Sequence, residues 1–194
     1  RRLGQMCLRD GLKGAAISLD FPSVGATENV RLAAVMAEGE TVLRGAAREP
    51  EIVDLARFLQ AMGAKICGAG TDVIAVEGVK KLRGVSYAPM KDRIEAGTYL
   101  IMAAVCGGEV ETQGVAPENL GLLLHKLREN GCKIGAKNDK IRLESLGKLK
   151  CNRRIETMPF PGFPTDLQAQ AAALNSGAEG CAPIEGHLFE TRRE

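Results

Sequence analysis

Apolar residues gather in three short blocks of one kind. Leu32-Ala33-Ala34-Val35 is followed by Glu38-Gly39, Met102-Ala103-Ala104-Val105 by Gly107-Gly108, and Ala171-Ala172-Ala173-Leu174 by Glu179-Gly180. Each block predicts an apolar helix of about three turns, ended by glycine. After the first two blocks the pattern continues in step. Thr41-Val42-Leu43 and Glu109-Val110-Glu111 predict short strands. Pro50-Glu51 and Pro117-Glu118 predict second helices, since the first helical position does not need the N–H that proline lacks. Those helices end at Gly63-Ala64-Lys65-Ile66 and Gly131-Cys132-Lys133-Ile134. Val73-Ile74-Ala75-Val76 and Ile141-Arg142-Leu143 predict the strands that follow. A closing strand is expected after Leu82-Arg83-Gly84 and again after Leu149-Lys150-Cys151. Ala16-Ile17-Ser18-Leu19, behind Leu12-Lys13-Gly14, reads as the same closing strand of an earlier repeat.

The Leu12, Leu82 and Leu149 positions set a period of about 67 to 70 residues. That is a whole βαβαββ module rather than a solenoid unit. The fold class expected is therefore α/β, built from repeated βαβαββ modules. A boundary is expected between Val85 and Lys91, where Pro89 breaks the periodic pattern. This gives residues 1-90 as a partial first domain, the end of one module plus a full one. Residues 91-194 give a partial second domain, one full module plus half of another.

Helix-start signals supply the candidate chemistry. In Phe163-Pro164-Thr165-Asp166-Leu167-Gln168-Ala169-Gln170, Thr165 with Gln168 reads as a capping box. Asp166 then falls in the first helical turn, where the helix dipole and free N–H groups favour a carboxylate. The device recurs at Ser23-Val24-Gly25-Ala26-Thr27-Glu28-Asn29 and at Asp92-Arg93-Ile94-Glu95-Ala96-Gly97-Thr98. Taken alone, these residues are helix caps that add stability.

Composition narrows the classes. The chain has 194 residues, 45% hydrophobic and 26% charged, which suits a globular core. A net charge of +2 without a Lys/Arg block, and 4% aromatics, argue against nucleic acid. The six cysteines are scattered singly and histidines number two, so no metal spacing is present and no cofactor is expected. The thiols read as reduced core fillers of a cytoplasmic protein. No apolar run is long enough to span a membrane. The chain starts at Arg1 and ends at Thr191-Arg192-Arg193-Glu194 without a helix stop, which reads as an internal or truncated segment.

The helix-start runs, together with Ala46-Ala47-Arg48-Glu49-Pro50-Glu51-Ile52-Val53-Asp54-Leu55-Ala56, resemble motifs of a known family. This is the UDP-N-acetylglucosamine enolpyruvyl transferase (UDP-N-acetylglucosamine 1-carboxyvinyltransferase) family of bacterial cell-wall synthesis, within the EPSP synthase-like superfamily. The matches keep the family's order and cover roughly residues 12 to 192. The related enzyme of shikimate metabolism shares the fold, but these runs fit the cell-wall enzyme better. The resemblance implies a two-domain inside-out α/β barrel. It implies transfer of enolpyruvate from phosphoenolpyruvate to the 3-hydroxyl of UDP-N-acetylglucosamine, by addition and then elimination of phosphate. Both substrates are the partners implied. Asp166 would take the hydroxyl proton, with Thr165 a substrate contact beside it. Ser23, Val24 and Gly25 would lie against the uridine nucleotide, although Phe21-Pro22 stands where some members carry a lysine. Leu188 would touch the nucleotide, and Arg192 would lie near the phosphoenolpyruvate phosphate. Asp92, Arg93 and Glu95 read as hinge and cap first and as cleft lining second, and Arg48 and Glu49 as residues facing the same cleft.

The family's mobile loop, a reactive cysteine in a Gly/Ala-rich run followed by Arg-Pro-Val-Asp-Leu, has no counterpart here. Cys181 in Gly180-Cys181-Ala182-Pro183 is out of order for it. The early Lys-Asn pair and the late arginines are absent as well. The expectation is a segment that does not turn over alone, with an incomplete phosphoenolpyruvate site. The alternative is a non-catalytic truncated paralogue that self-associates through uncovered module faces.

Overall fold

The computed structural model describes residues 11–152, 154–180 and 183–186. The chain forms two compact units that divide between Pro89 and Met90.

The first unit runs β1 (Ala16–Ser18), α1 (Val24–Ala34), β2 (Glu40–Arg44), α2 (Pro50–Ala61), β3 (Lys65–Cys67) and β4 (Val73–Glu77). Its sheet has the order β1-β2-β4-β3, with β1 parallel to β2 and the other pairs antiparallel. Alternation along β2 and β4 turns Leu43, Ile74 and Val76 to one face, where they pack with Ala34, Ile52, Ala56 and Leu59 of the helices. This order of elements is one βαβαββ module. It also corrects one expectation: β1 hydrogen-bonds to β2, so it opens this module instead of closing an earlier one.

The second unit runs α3 (Arg93–Cys106), β5 (Gly108–Gln113), a 3-10 turn (Pro117–Leu120), α4 (Gly121–Glu129), β6 (Lys133–Lys137) and β7 (Lys140–Ser145). It continues with β8 (Ile155–Thr157), a 3-10 turn (Thr165–Leu167), α5 (Gln168–Ser176) and β9 (Ile184–Gly186). The sheet β5-β7-β6 is antiparallel, and β8 lies parallel to β9. The core is built around α3. Leu100, Ile101 and Ala104 pack with Leu123, Leu127, Ile141 and Leu143 on the sheet side, and with Leu167, Ala171 and Leu174 toward α5. The outer face of the sheet carries cross-strand ion pairs, among them Arg142–Glu109 at 2.7 Å and Lys133–Glu144 at 3.2 Å.

The repeat is visible in single hydrogen bonds. Gly14 N–H donates to Glu38 O (2.8 Å) and Glu38 N–H to Leu12 O (2.8 Å); Cys151 N–H donates to Glu179 O (3.0 Å) and Glu179 N–H to Leu149 O (2.9 Å). Cys151 therefore fills the place of Gly14 although it breaks the motif. Likewise Arg83 N–H donates to Met62 O (2.9 Å) as Lys150 N–H does to Asn130 O (3.1 Å). Beyond Arg83 the repeat stops. The strand expected after Gly84 does not form, and residues 84–92 contain no regular element. Pro89 supplies no N–H for a ladder, and β5 is paired by β7 on one edge only among the described residues.

Candidate functional site

The first unit carries Ser23, Val24 and Gly25 at the start of α1. Ser23 is the N-cap and is exposed; its Oγ accepts from Ala26 N–H at 3.3 Å. Thr27 does a different task. It is fully buried, its Oγ1 donates to Ser23 O (2.7 Å) and accepts from Ala47 N–H (3.0 Å). Thr27 thus ties the first turn of α1 to the chain after β2. Val24 and Gly25 hold the first two N–H groups of the helix, which have no partner within it. A Cβ at Gly25 would meet nothing within 4 Å among the described residues, and free N–H groups at a helix start favour an anion or a carbonyl. Arg48 is exposed and Glu49 half-buried, at the N-cap of α2, without a side-chain cap bond.

The second unit carries Thr165 and Asp166. The capping box expected there is not made. Pro164 is the cap residue of a 3-10 turn and no side chain caps either that turn or α5. Gln168 is turned elsewhere: its amide lies so close to Gly186 that a Cβ there would sit 3.0 Å from Nε2. Asp166 is exposed on the turn, between half-buried Thr165 and Leu167, which is fully buried. The turn is closed by Leu167 N–H donating to Pro164 O at 3.1 Å. Just before it the chain folds back on itself, with Gly162 N–H on Pro159 O (2.8 Å) and Met158 N–H on Phe163 O (3.0 Å), and a cis bond at Phe160-Pro161. Phe163 is 1% exposed and anchors the loop in the core.

α3 packs directly on this turn. Asp92 is its N-cap, as expected, with Oδ1 accepting from Ile94 N–H (2.7 Å) and Glu95 N–H (3.1 Å). Arg93, expected at a hinge or cleft, is buried, with its guanidinium 5.7 Å from the centre of the Phe160 ring. Gly97 faces Leu167 so closely that a Cβ would lie 2.8 Å from Leu167 Cδ1. Thr98 Oγ1 accepts from Gln170 Nε2 at 3.1 Å and donates to Ile94 O at 2.8 Å. Leu188, Arg192 and Cys181 lie outside the described residues.

Arg31 was not singled out by its sequence. It is 1% exposed, donates through Nη1 to Ile52 O, and leaves Nε and Nη2 without hydrogen-bond partners among the described residues. Burial pulls its pKa down from the ordinary value, and nearby Glu28 opposes that shift. The available signal was spacing, since Thr27, Arg31 and Ala34 share the buried stripe of α1. Among the described residues no group of His, Cys, Asp and Glu could hold a metal, and no helix is long and apolar enough to cross a membrane. A cleft of about 250 Å³ beside β3, lined by Gln60, Lys65, Cys67 and Glu77 among others, holds none of the candidate residues.

The family model for EPSP synthase (3-phosphoshikimate 1-carboxyvinyltransferase) matches residues 5–194. The chain belongs to the EPSP synthase family. This EPSP synthase family member is 52% identical over 181 residues to a UDP-N-acetylglucosamine 1-carboxyvinyltransferase of Pseudoalteromonas atlantica, covering 93% of this chain and 43% of that protein. It is 50% identical over 183 residues to UDP-N-acetylglucosamine 1-carboxyvinyltransferase 2 of Clostridium tetani, covering 94% and 44%. The chain thus spans less than half the length of these curated relatives. Among solved structures it resembles the enolpyruvyl transferase NikO from Streptomyces tendae, with a TM-score of 0.77 at 21% identity over 93% of this chain and 46% of that one. An EPSP synthase from Acinetobacter baumannii follows, with a TM-score of 0.59 at 26% identity over 89% and 40%. The fold of this EPSP synthase family member is therefore that of the enolpyruvyl transferases, and the module repeat is part of it.

Proposed function

We propose that this chain is a segment of an enzyme that moves enolpyruvate from phosphoenolpyruvate to the 3-hydroxyl of UDP-N-acetylglucosamine in peptidoglycan synthesis. The observation that carries the reading is identity of about half, over 181 residues, to relatives that bear that name. In this proposal the open start of α1, with Ser23, Val24 and Gly25, receives the nucleotide. Asp166 takes the proton from the sugar hydroxyl, with Thr165 touching the sugar beside it. Exposure of Asp166 on a short turn supports the role, because a base must reach the hydroxyl. Leu188 and Arg192 are proposed for the nucleotide and the phosphoenolpyruvate phosphate. Residues 1-90 and 91-194 are taken as parts of the two domains, and the setting as cytoplasmic. No cysteine in these 194 residues is followed by an Arg-Pro-Val-Asp-Leu run, and in this proposal the chain alone binds the sugar nucleotide without turnover. Calorimetric titration with UDP-N-acetylglucosamine, with phosphate release assayed in the same tubes, tests this. Binding is expected without phosphate release, and Asp166→Ala is expected to weaken it about tenfold, the worth of a hydrogen bond to a charged group. Wild-type affinity in Asp166→Ala would remove Asp166 from the site.

A second reading, self-association through module faces, is favoured by α3. Tyr99 and Met102 are about half exposed on one side of that helix, with exposed Cys106 one turn further. Sedimentation at increasing concentration is expected to show a dimer that Met102→Glu dissolves; a monomer throughout would end this reading.

A further inference from the structure

We propose that α3 is the template that positions the Asp166 turn, with Arg93, Gly97 and Thr98 as its positioning residues. This rests on the reading of Asp166 as the base. The three residues lie at successive places along α3 and meet three successive parts of the Asp166 segment. Arg93 sits over the Phe160 ring and holds the loop before the turn. Gly97 admits Leu167, the buried residue next to Asp166, closer than any side chain would allow. Thr98 accepts the Gln170 amide one helical turn beyond Asp166 and fixes the start of α5. The loop, the turn and the helix after it are thus referenced to one rigid element.

The arrangement explains why the runs Asp92–Thr98 and Phe163–Gln170 stand out together in the sequence. They are two halves of one packed object. Leu167, the neighbour of Asp166, is buried against Gly97 and carries the registration. Moving Leu167 by a few tenths of an ångström moves the carboxylate with it, and reacting groups tolerate little misplacement.

Thr98→Val, Thr98→Ser and Gly97→Ala, made in the full chain, test the template. Thr98→Val keeps the volume and removes the acceptor for Gln170, and Thr98→Ser restores it. Gly97→Ala gains helix propensity while forcing Leu167 aside, so local displacement separates from global loss. Amide exchange at Leu167 is expected to quicken about five- to tenfold in Thr98→Val, as for one lost internal hydrogen bond, and to recover in Thr98→Ser. Exchange in β2 of the first unit serves as the reference and stays unchanged. In Gly97→Ala the Asp166 amide resonance shifts. UDP-N-acetylglucosamine affinity falls in Thr98→Val and returns in Thr98→Ser. Unaltered exchange and shifts at residues 165–168 in both Thr98→Val and Gly97→Ala overturn the template. A loosened turn with affinity unchanged, in Thr98→Val and in Asp166→Ala alike, supports the template and overturns the assignment of Asp166.

Discussion

Gly78→Ala is expected to destabilise the first unit by about 3 kcal/mol or more, at the upper end of single-substitution effects. A Cβ at Gly78 would lie 1.6 Å from Ala37 O and 2.7 Å from Ala37 C, and both atoms are backbone, which has no rotamer to yield. The contact cannot open without loss elsewhere. Gly78 N–H donates to Gly39 O (2.9 Å) and Val79 N–H to Val35 O (2.8 Å), so the exit from β4 is stitched to the end of α1. Urea unfolding followed by exchange at β2 and β4 amides checks this. A variant with the wild-type midpoint would mean that the close approach is relieved at little cost.

Phe163→Ala is expected to cost about 3 to 5 kcal/mol, the range for emptying a buried aromatic site. Phe163 is 1% exposed and belongs to the core that α3 organises. Its carbonyl also accepts from Met158 N–H, so the folded-back loop and the core share this residue. The consequence reaches the candidate site, because Asp166 lies three residues on. Thermal unfolding and the Asp166 amide line width are the measurements. A loss below 1 kcal/mol would show that the loop is held by other residues.

These two sites show how the sequence carried the fold unevenly. The helix stop at Gly107, Pro50 at the start of α2 and the Leu12/Leu82/Leu149 period rest on local chemistry and are legible, whereas α1 ends at Ala34 with Val35 as its C-cap, short of Gly39. β3 and β6 are not legible in the sequence, since a short strand such as Lys65-Ile66-Cys67 shows one inward apolar residue and no period. The motif Leu82-Arg83-Gly84 implies a strand that does not form, because a motif does not bring the partner that a ladder needs. The place of Ala16–Ser18 in its module depends on pairing with β2, a contact distant in sequence.

The candidate site was legible at its ends and not in its supports. Ser23 and Asp92 cap helices as their sequence implies. The Thr165–Gln168 box failed because Gln168 is engaged against β9, which local pattern cannot foresee. Arg93 reads as hinge and cap first and as cleft lining second, yet it is buried, and Phe160, far along the chain, gives it a face to cover. Gln170 and Thr98 are separated by 72 residues and meet only after α3 and α5 pack.

Amide mapping of the full chain titrated with UDP-N-acetylglucosamine tests directly whether the start of α1 and the Asp166 turn receive the sugar nucleotide. Saturable shifts are expected at Val24, Gly25 and Ala26 and at Thr165 to Leu167, with β6 and β7 unmoved. Shifts that leave both the start of α1 and the Asp166 turn untouched would contradict the proposed site.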